Sequence, residues 1–323
     1  MSNEGVPSAR YYNNVAKRLI HLSFVICHLT FFLLGSAFAQ GQAGSDIAVL
    51  KAGVGARPLG MGSAFTAVAD NADAPYWNPA GLSSITKNEI TTTQTRLSTD
   101  ADHYYVSYVF PLKRGAIGIS WIQVGMGTIT RTTTTDAFNE VITTGIFSYF
   151  SNAYLFSYGL PINPNISFGL TAKYLTSDMF QIAGGQAYGY SLTPGIILHV
   201  TRYSLPVTIG LKIDELLNEQ KWGTGTVEKV PPIVRLGFAY KTINPGLFAI
   251  DISQIMKSGY STEISAGYEW ERDGLSLRLG YAENGLTAGA GFISGHARLD
   301  YAYVAQRDLS KENIHRVSLS GIF

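Results

Sequence analysis

The stretch GARPLGMGSAFTAVADNADAPYWNPAGL, residues 55–82, decides the predicted fold of this chain. It is the only long segment after residue 39 that resembles neither a strand nor a turn. Its glycines lie close together, where the backbone can bend or approach other groups closely. A short apolar run with the spacing of one or two helical turns follows, and Pro79 ends any helix there. One compact segment without strands, ahead of many alternating strands, predicts a plug inside the barrel that those strands form.

The composition differs from that of ordinary soluble domains. The 323 residues are 46% hydrophobic and 15% charged, with 34 glycines and 19 tyrosines, whereas about a quarter of a soluble domain is charged. Mean hydropathy is only +0.10, which is low for a helical membrane protein. Abundant Tyr and Gly with few charges are typical of strands that face lipid on one side and a polar lumen on the other. The formal net charge of +1 gives no reason to expect a nucleic-acid partner.

The first 39 residues have the pattern of a signal peptide. Basic residues precede an apolar run at 19–34, and Ala37-Phe38-Ala39 forms a small-x-small cleavage signal. We therefore predict cleavage after Ala39; a retained transmembrane anchor is the alternative. The single cysteine, Cys27, would leave with the leader, so neither disulfides nor thiol chemistry is expected in the mature chain.

Alternating side chains dominate the sequence after residue 87. Phe156 and Tyr158 share one face of a strand and Ser157 lies on the other, and the same split recurs further along the chain. Large apolar residues on one face, with small or charged ones on the other, are typical of a membrane barrel. A water-soluble sandwich would alternate as well, so alternation alone does not decide. About fourteen strands are predicted, near 88–98, 101–111, 115–124, 148–161, 165–176, 186–200, 205–213, 230–242, 246–254, 260–271, 274–282, 284–293, 295–305 and 313–323.

The lengths of the connections favour the membrane barrel. Tight turns alternate with longer predicted loops at 125–147, 177–185, 214–229 and 306–312. Outer-membrane barrels have short periplasmic turns and longer outer loops, an asymmetry for which a sandwich has no cause. We predict an all-β membrane protein, a 14-stranded antiparallel outer-membrane β-barrel with a short N-terminal hatch in its lumen. The predicted divisions are a signal peptide at 1–39, an N-terminal segment and hatch at 40–86, and the barrel at 87–323.

The last predicted strand supports the same conclusion. Val317, Leu319 and Gly321 share a face with Phe323, which ends the sequence. A final aromatic residue after alternating side chains resembles the signal that barrel-assembly machinery recognises. Phe323 is therefore the candidate assembly signal.

The sequence predicts no enzyme, cofactor or metal site. It contains no HExxH, no GxSxG and no cysteine pair, and its histidines lack metal-ligand spacing. Carboxylates such as Asp251 and Glu263 could form an acid/base pair, but pairing with lumen Arg or Lys is the favoured interpretation. Lumen charges of both signs could cross-link a narrow barrel or line a wet pathway, and we favour cross-linking for most of them. The predicted lumen charges are Lys173, Lys212, Arg235, Lys241, Asp251, Glu263, Glu269, Arg278, Arg298, Asp300 and Arg316.

Segments 56–62 (ARPLGMG), 64–70 (AFTAVAD) and 77–82 (WNPAGL) resemble the N-terminal signature of PorV/PorQ-type outer-membrane proteins, within the wider FadL-like superfamily. Segment 315–319 (HRVSL) is similar to the last strand of that family. The candidate hatch motif comprises Arg57, Gly60, Met61, Gly62, Asp70, Asp73, Trp77, Asn78, Pro79 and Ala80.

The resemblance implies a bacterial outer-membrane barrel of fourteen strands with a hatch in its lumen. FadL-like members pass small hydrophobic molecules, whereas PorV-like members serve type IX secretion. Because the mature chain leaves little length for large outer loops, we favour a non-enzymatic, secretion-associated binding and scaffold protein; the alternative is a FadL-like passive channel. The expected partners are outer-membrane lipid, the barrel-assembly machinery, and exported proteins or secretion components. An apolar outer groove with an opening beside the hatch would favour the channel, and a sealed lumen with a docking surface the scaffold.

Overall fold

The computed structural model describes residues 48–97, 101–134, 141–200, 206–242, 245–283, 285–306 and 313–323. The predicted signal peptide and its cleavage site lie outside the described residues. Within these ranges, no helix is long and apolar enough to cross a membrane.

The described residues form short helices first and strands afterwards. The helices are Ala48–Lys51, Ala56–Gly60 and Ala74–Trp77, followed by the 3-10 helix Pro79–Ser84. The strands are β1 (Glu89–Arg96), β2 (Asp102–Pro111), β3 (Ala116–Thr134), β4 (Val141–Asn163), β5 (Ile166–Phe180), β6 (Gln186–Val200), β7 (Val207–Asp214), β8 (Leu217–Trp222), β9 (Val227–Glu228), β10 (Ile233–Lys241), β11 (Gly246–Ile255), β12 (Glu263–Arg272), β13 (Leu275–Ala282), β14 (Gly285–Ser294), β15 (Ala297–Val304) and β16 (Ile314–Ile322).

Fourteen of these strands form one closed antiparallel barrel. Each pairs with its neighbours along the chain, and β7 pairs directly with β10 because the short β8–β9 hairpin branches off to extend the sheet beside β6. The ring closes where β1 pairs with β16, from Glu89 opposite Ile322 to Gln94 opposite Val317. Closure leaves the ring without an open edge, so backbone groups are paired between strands. The predicted 14-stranded antiparallel barrel is confirmed.

Side-chain burial follows the predicted alternation. Phe156 is 56% exposed on the outside of β4, whereas its neighbour Ser157 is buried. Leu279 on β13 is 66% exposed, and the adjacent Arg278 is 2% exposed. The apolar side chains therefore form the outer surface of the barrel, and the small and charged ones face its lumen.

Two predicted loops are largely strand, so that part of the prediction was wrong. The predicted loop 125–147 contains the ends of β3 and β4, which pair from Ile129 opposite Phe147 to Thr134 opposite Val141. Its threonines and isoleucines favour extended backbone, but residues on both faces are exposed, so no lipid–lumen alternation marks the segment. We call residues 126–134 and 141–147 the β3–β4 ribbon. The predicted loop 214–229 likewise contains β8 and β9.

The two ends of the barrel differ in their connections. One end carries short turns such as 112–115 and 273–274, and we call it the turn end. The other carries longer connections such as 256–262, together with the β8–β9 hairpin, and we call it the loop end. Residues 48–86 lie in the lumen between these two ends, as their contacts with the inner face of the wall show.

Candidate functional site

The segment from Ala48 to residue 86, which we call the hatch, is packed tightly inside the barrel. Met61, Phe65 and Leu82 are completely buried, and Trp77 is 4% exposed. The ring of Trp77 packs edge-on against Phe65, with ring centroids 6.2 Å apart. A segment made of several short turns has few regular ladder bonds, so its backbone groups need partners from side chains and from the wall.

Glycines on the inner face of nine strands make room for the hatch. A Cβ atom added at Gly195 would lie 2.1 Å from Oδ1 of Asn78, and one at Gly169 would lie 2.2 Å from the carbonyl carbon of Pro79. At these positions a side chain and the hatch cannot occupy the same space. We call this set the glycine ring; it comprises Gly118, Gly159, Gly169, Gly195, Gly210, Gly237, Gly267, Gly280 and Gly289.

Asn78 binds three backbone groups around it. Its Nδ2 donates to the carbonyl of Thr66 at 2.8 Å and to the carbonyl of Ile196 in the wall at 3.3 Å. Its Oδ1 accepts the backbone N–H of Ala80 at 3.1 Å, which caps the 3-10 helix. Asn78 is completely buried, so no water reaches these groups. Without the Asn78 side chain, their hydrogen bonds to it would have no replacement.

Asp251 is a wall residue that binds the backbone in the middle of the hatch. Its Oδ2 accepts the backbone N–H groups of Phe65 at 3.0 Å and Thr66 at 2.9 Å. It stands on β11 directly opposite the glycine ring position Gly237 on β10, while Gly267 on β12 lies two positions along from the residue opposite Asp251. The glycines of the ring only leave space for the hatch, whereas the Asp251 carboxylate binds it through hydrogen bonds.

Arg57 links the hatch to a chain of ion pairs on the later strands. Its Nε and Nη2 donate to the two carboxylate oxygens of Glu269, each at 2.8 Å. Arg57 also pairs with Asp70 within the hatch. Glu269 accepts from Arg278 at 2.6 Å, and the chain continues from Arg278 to Asp300 at 2.8 Å and from Asp300 to Arg298 at 2.8 Å.

A second group of charges lies nearer the loop end. Lys212 and Arg235 each pair with Asp214, both at 2.9 Å, and Lys173 pairs with Glu215. Lys212 also donates to the carbonyl of Tyr76 at 2.9 Å. Asp214 and Glu215 are not among the predicted lumen charges because both follow the predicted end of β7, where lumen-face alternation stops.

The first residues of the hatch are held through their carbonyl groups. Arg316 on β16 donates from Nη1 to Gly53 at 2.6 Å and from Nη2 to Ala52 at 3.2 Å. Trp77 Nε1 donates to the carbonyl of Val54 at 3.0 Å. Three successive carbonyls are therefore bound by two side chains: Arg316 from the wall and Trp77 from the hatch.

The remaining residues of the candidate hatch motif are buried beside these contacts. Gly60 accepts at its carbonyl from Thr287 Oγ1 at 3.1 Å, and the N–H of Gly62 donates to the same hydroxyl at 3.0 Å. Asp73 accepts at Oδ2 from the side chain of Asn71 at 3.0 Å. Burial raises the pKa of Asp73 to about 6, and the hydrogen bond from Asn71 opposes this rise. Met61, Pro79 and Ala80 are buried as well.

Three predicted residues lie apart from the buried hatch contacts. Glu263 accepts from Ser253 Oγ at 3.3 Å near the loop end. Lys241 is exposed at the turn end. Phe323 exchanges two backbone hydrogen bonds with Asn88, both at 2.9 Å, next to the closing pair of strands.

Cavities lie on both sides of the hatch. The loop-end cavity, of about 430 Å³, is lined by hatch residues such as Leu50 and Trp77 and by the loop-end parts of β7 and β10–β16. The turn-end cavity, of about 460 Å³, is lined by hatch residues such as Val68 and by Leu247 and Lys241 of the wall. The two cavities share no lining residue, because the middle of the hatch separates them. Within the described ranges, no three His, Cys, Asp or Glu side chains are grouped so as to hold a metal ion.

Several solved structures have a similar fold, and their titles describe toluene transporters or a monoaromatic hydrocarbon channel. The P. putida toluene transporter TodX matches with a TM-score of 0.58 and 13% identity, covering 78% of this chain and 94% of TodX. The Ralstonia pickettii toluene transporter TbuX matches with a TM-score of 0.58 and 14% identity, covering 86% of this chain and all of TbuX. A TodX mutant described as a monoaromatic hydrocarbon channel has a TM-score of 0.56, 13% identity, and coverage of 84% and 97%. No protein-family model and no curated protein sequence matches the chain. The fold is therefore similar to that of these toluene transporters, and at these identities the likeness shows the fold alone.

Proposed function

We propose that this protein is a passive channel for small hydrophobic molecules across the bacterial outer membrane. The observation that carries the proposal is the pair of cavities in a closed barrel, one on each side of the hatch. A molecule that enters from the loop end reaches the loop-end cavity. Passage to the turn-end cavity requires part of the hatch to move. The fold shared with two toluene transporters supports this proposal.

The size and lining of the loop-end cavity suit a compact apolar molecule. Its volume of about 430 Å³ lies within the range of small-molecule sites. Leu50, Leu59 and Trp77 form an apolar floor on the hatch, and Ile255 and Ile314 add apolar surface on the wall. Four of its lining charges, Lys212, Asp214, Glu215 and Arg235, are already in ion pairs, so these need no counter-ion from the passing molecule.

Uptake of labelled toluene by whole cells tests the proposal. Toluene diffuses through simple bilayers, so the protein should be expressed in a Gram-negative host without such a channel, whose own outer membrane is the barrier. Filling the cavity with Ala282→Trp should lower uptake, because Ala282 lines it. Tyr281→Trp, which replaces an outward-facing aromatic residue one position away, is the matched control. Uptake no faster than in cells without the protein would contradict the proposal.

A scaffold role in secretion is the second candidate function, and the β3–β4 ribbon is the observation that favours it. The apolar side chains of Val141 and Ile146 are 70% and 57% exposed on this ribbon. A two-stranded ribbon with free edges can add a strand from a partner protein. None of the solved structures above is of the PorV/PorQ type, so this role has less support than the channel. Changing Val141 and Ile146 together to Lys should impair display of exported proteins and spare toluene uptake if the scaffold role holds.

A further inference from the structure

Arg316 differs from the other buried cations of the described residues. Each of the others has a carboxylate partner within 3 Å, whereas the described residues place no carboxylate within 4.0 Å of Arg316. Its two terminal nitrogens donate to hatch carbonyls, and its Nε has no hydrogen-bond partner. The residue is only 1% exposed. An uncompensated charge in such a position is costly, because burial removes the water that would solvate it. The other buried cations are Arg57, Lys173, Lys212 and Arg278.

Two neighbours of Arg316 also have buried polar atoms without partners. These atoms are the hydroxyl of Thr95 and both ring nitrogens of His103. Thr95 on β1 stands opposite His103 on β2. The β1–β16 register, continued one step beyond Gln94 opposite Val317, places Thr95 beside Arg316. Neighbouring strands are about 4.8 Å apart, so the three side chains form a row on the inner wall at the loop end. We call them the Arg316 row.

We propose that the Arg316 row binds the carboxylate group of a compact, otherwise apolar molecule. A carboxylate has about four acceptor positions, and Arg316 Nε, Thr95 Oγ1 and the ring nitrogens of His103 have no hydrogen-bond partner among the described residues. The guanidinium supplies the positive charge that makes such a hydrogen bond strong. The proposal goes beyond the channel function above, because a hydrocarbon has no group for this row to bind.

The surroundings of Arg316 supply both an apolar contact surface and a preferred orientation. Arg316 lines the loop-end cavity together with Leu50, Val304 and Ile314, against which an aromatic ring or short chain can pack. Glu263 and Glu283 line the same cavity on the loop-end parts of β12 and beyond β13. Their carboxyl groups are three or more strand spacings from β16 and disfavour an anion on their side. A bound carboxylate is thus directed toward Arg316.

Calorimetric titration of the full-length protein in detergent with three matched compounds tests the site. Benzoate has both the ring and the carboxylate, toluene has the ring alone, and acetate has the carboxylate alone. We expect benzoate to bind about tenfold or more tightly than either of the others, because a hydrogen bond to a charged group adds to ring burial. Acetate binding as tightly as benzoate would point to a free small carboxylate as the ligand and would overturn the need for an apolar part. Benzoate binding no tighter than toluene would overturn the carboxylate site.

Variants of the row separate binding from structure. Arg316→Gln removes the charge but keeps a donor for the hatch carbonyls, and it should weaken benzoate binding about tenfold or more. Thr95→Val and His103→Leu touch no hatch bond, and each should weaken benzoate binding in a folded barrel. Arg272→Gln, at an exposed arginine of the turn end, is the control and should bind benzoate normally. Unchanged benzoate binding in Thr95→Val and His103→Leu would overturn the proposal, because polar groups that bind only water would give that result. Toluene uptake by the same variants is scored separately, so failure of this site and failure of the channel function are distinguishable.

Discussion

Gly195 on the wall and Asn78 in the hatch are in such close contact that a Cβ atom on Gly195 would lie 2.1 Å from Oδ1 of Asn78. Asn78 cannot move away without losing its bonds to Thr66 and Ala80. At this level the hatch therefore fills the lumen up to the strands. A larger residue at position 195 would not fit beside Asn78.

The first prediction is that Gly195→Ala loosens the hatch. Overpacking a well-packed site costs about 1–3 kcal/mol, and here the clash falls on a side chain that holds three backbone groups. Faster hydrogen exchange in residues 60–82 would show the effect. Gly127→Ala is the control, because a Cβ atom there meets nothing within 4 Å. Equal exchange in both variants would mean that the hatch does not rest on the glycine ring.

The second prediction concerns Asn78→Leu, which should loosen the hatch and leave the barrel folded. The change leaves the carbonyl of Thr66 and the N–H of Ala80 buried without their partner, at about 1–3 kcal/mol for each group. Limited proteolysis should then cut within the hatch, while the strands stay protected and the barrel keeps its folded mobility in unheated gels. A hatch as resistant as that of the unaltered protein would contradict the prediction.

The third prediction is that deletion of residues 46–80 raises single-channel conductance in planar bilayers well above that of the intact protein. The middle of the hatch separates the two cavities, so its removal joins them into one water-filled path. Conductance that does not change, in a deletion shown to form a folded barrel, would indicate that the segment acts as a partner-binding arm outside the lumen.

The fourth prediction tests the membrane-facing surface with a pair of arginine substitutions on β13. Leu279→Arg, on the outer face, should lower the free energy of unfolding by roughly 2–4 kcal/mol near the membrane centre. Ala282→Arg should cost less, because Ala282 lines the loop-end cavity, where a charge has polar neighbours. Gly280 is unsuitable for this comparison although it faces inward, because it packs against Gly62. Similar losses at 279 and 282 in lipid-vesicle unfolding would contradict the assignment of the two faces.

The fifth prediction is a pH dependence of hatch docking through Asp73. Its pKa in the folded state is about 6, above the ordinary value of 3.8, because burial disfavours the charged form. The folded state therefore binds the proton more tightly, and its contribution to stability is full below about pH 3.8 and is lost as the pH rises through about 6. Hydrogen exchange around residue 73 should be slower at pH 5 than at pH 7.5, after correction for the intrinsic exchange rate. Asp73→Asn should remove this difference, and its persistence would assign the effect to another group.

Much of the barrel could be predicted from single residues, because the residue type at each strand position reflects whether that position faces lipid or the lumen. An exposed Phe156 next to a buried Ser157 needs no distant information to be assigned to lipid and lumen. The β3–β4 ribbon was missed for the same reason, since both of its faces meet solvent and its side chains do not alternate. What distinguishes it is the run of β-branched residues, which favours extended backbone without saying which face is buried.

The partners in the lumen could not be predicted in this way. The alternation in the sequence shows which small residues of the strands face inward. The residues around Gly195, however, do not indicate that Asn78 fills the space beside it. Arg57 and Glu269 are 212 residues apart, and their pairing depends on the path of the hatch through a ring that only the complete set of strands defines. Glu215 has a positive φ of 56° just beyond β7, where the alternating pattern no longer applies.

The pairing of β1 with β16 has a consequence for the order in which the molecule is made. The hatch precedes β1 in the chain, yet it contacts barrel strands as late as β14 and β16, so the wall around it is complete only when the first and last strands join. Contacts between residues more than 200 positions apart are slow to form, so we expect this seam to close late in assembly. A barrel that closed without the hatch would have the glycine ring facing an unfilled centre.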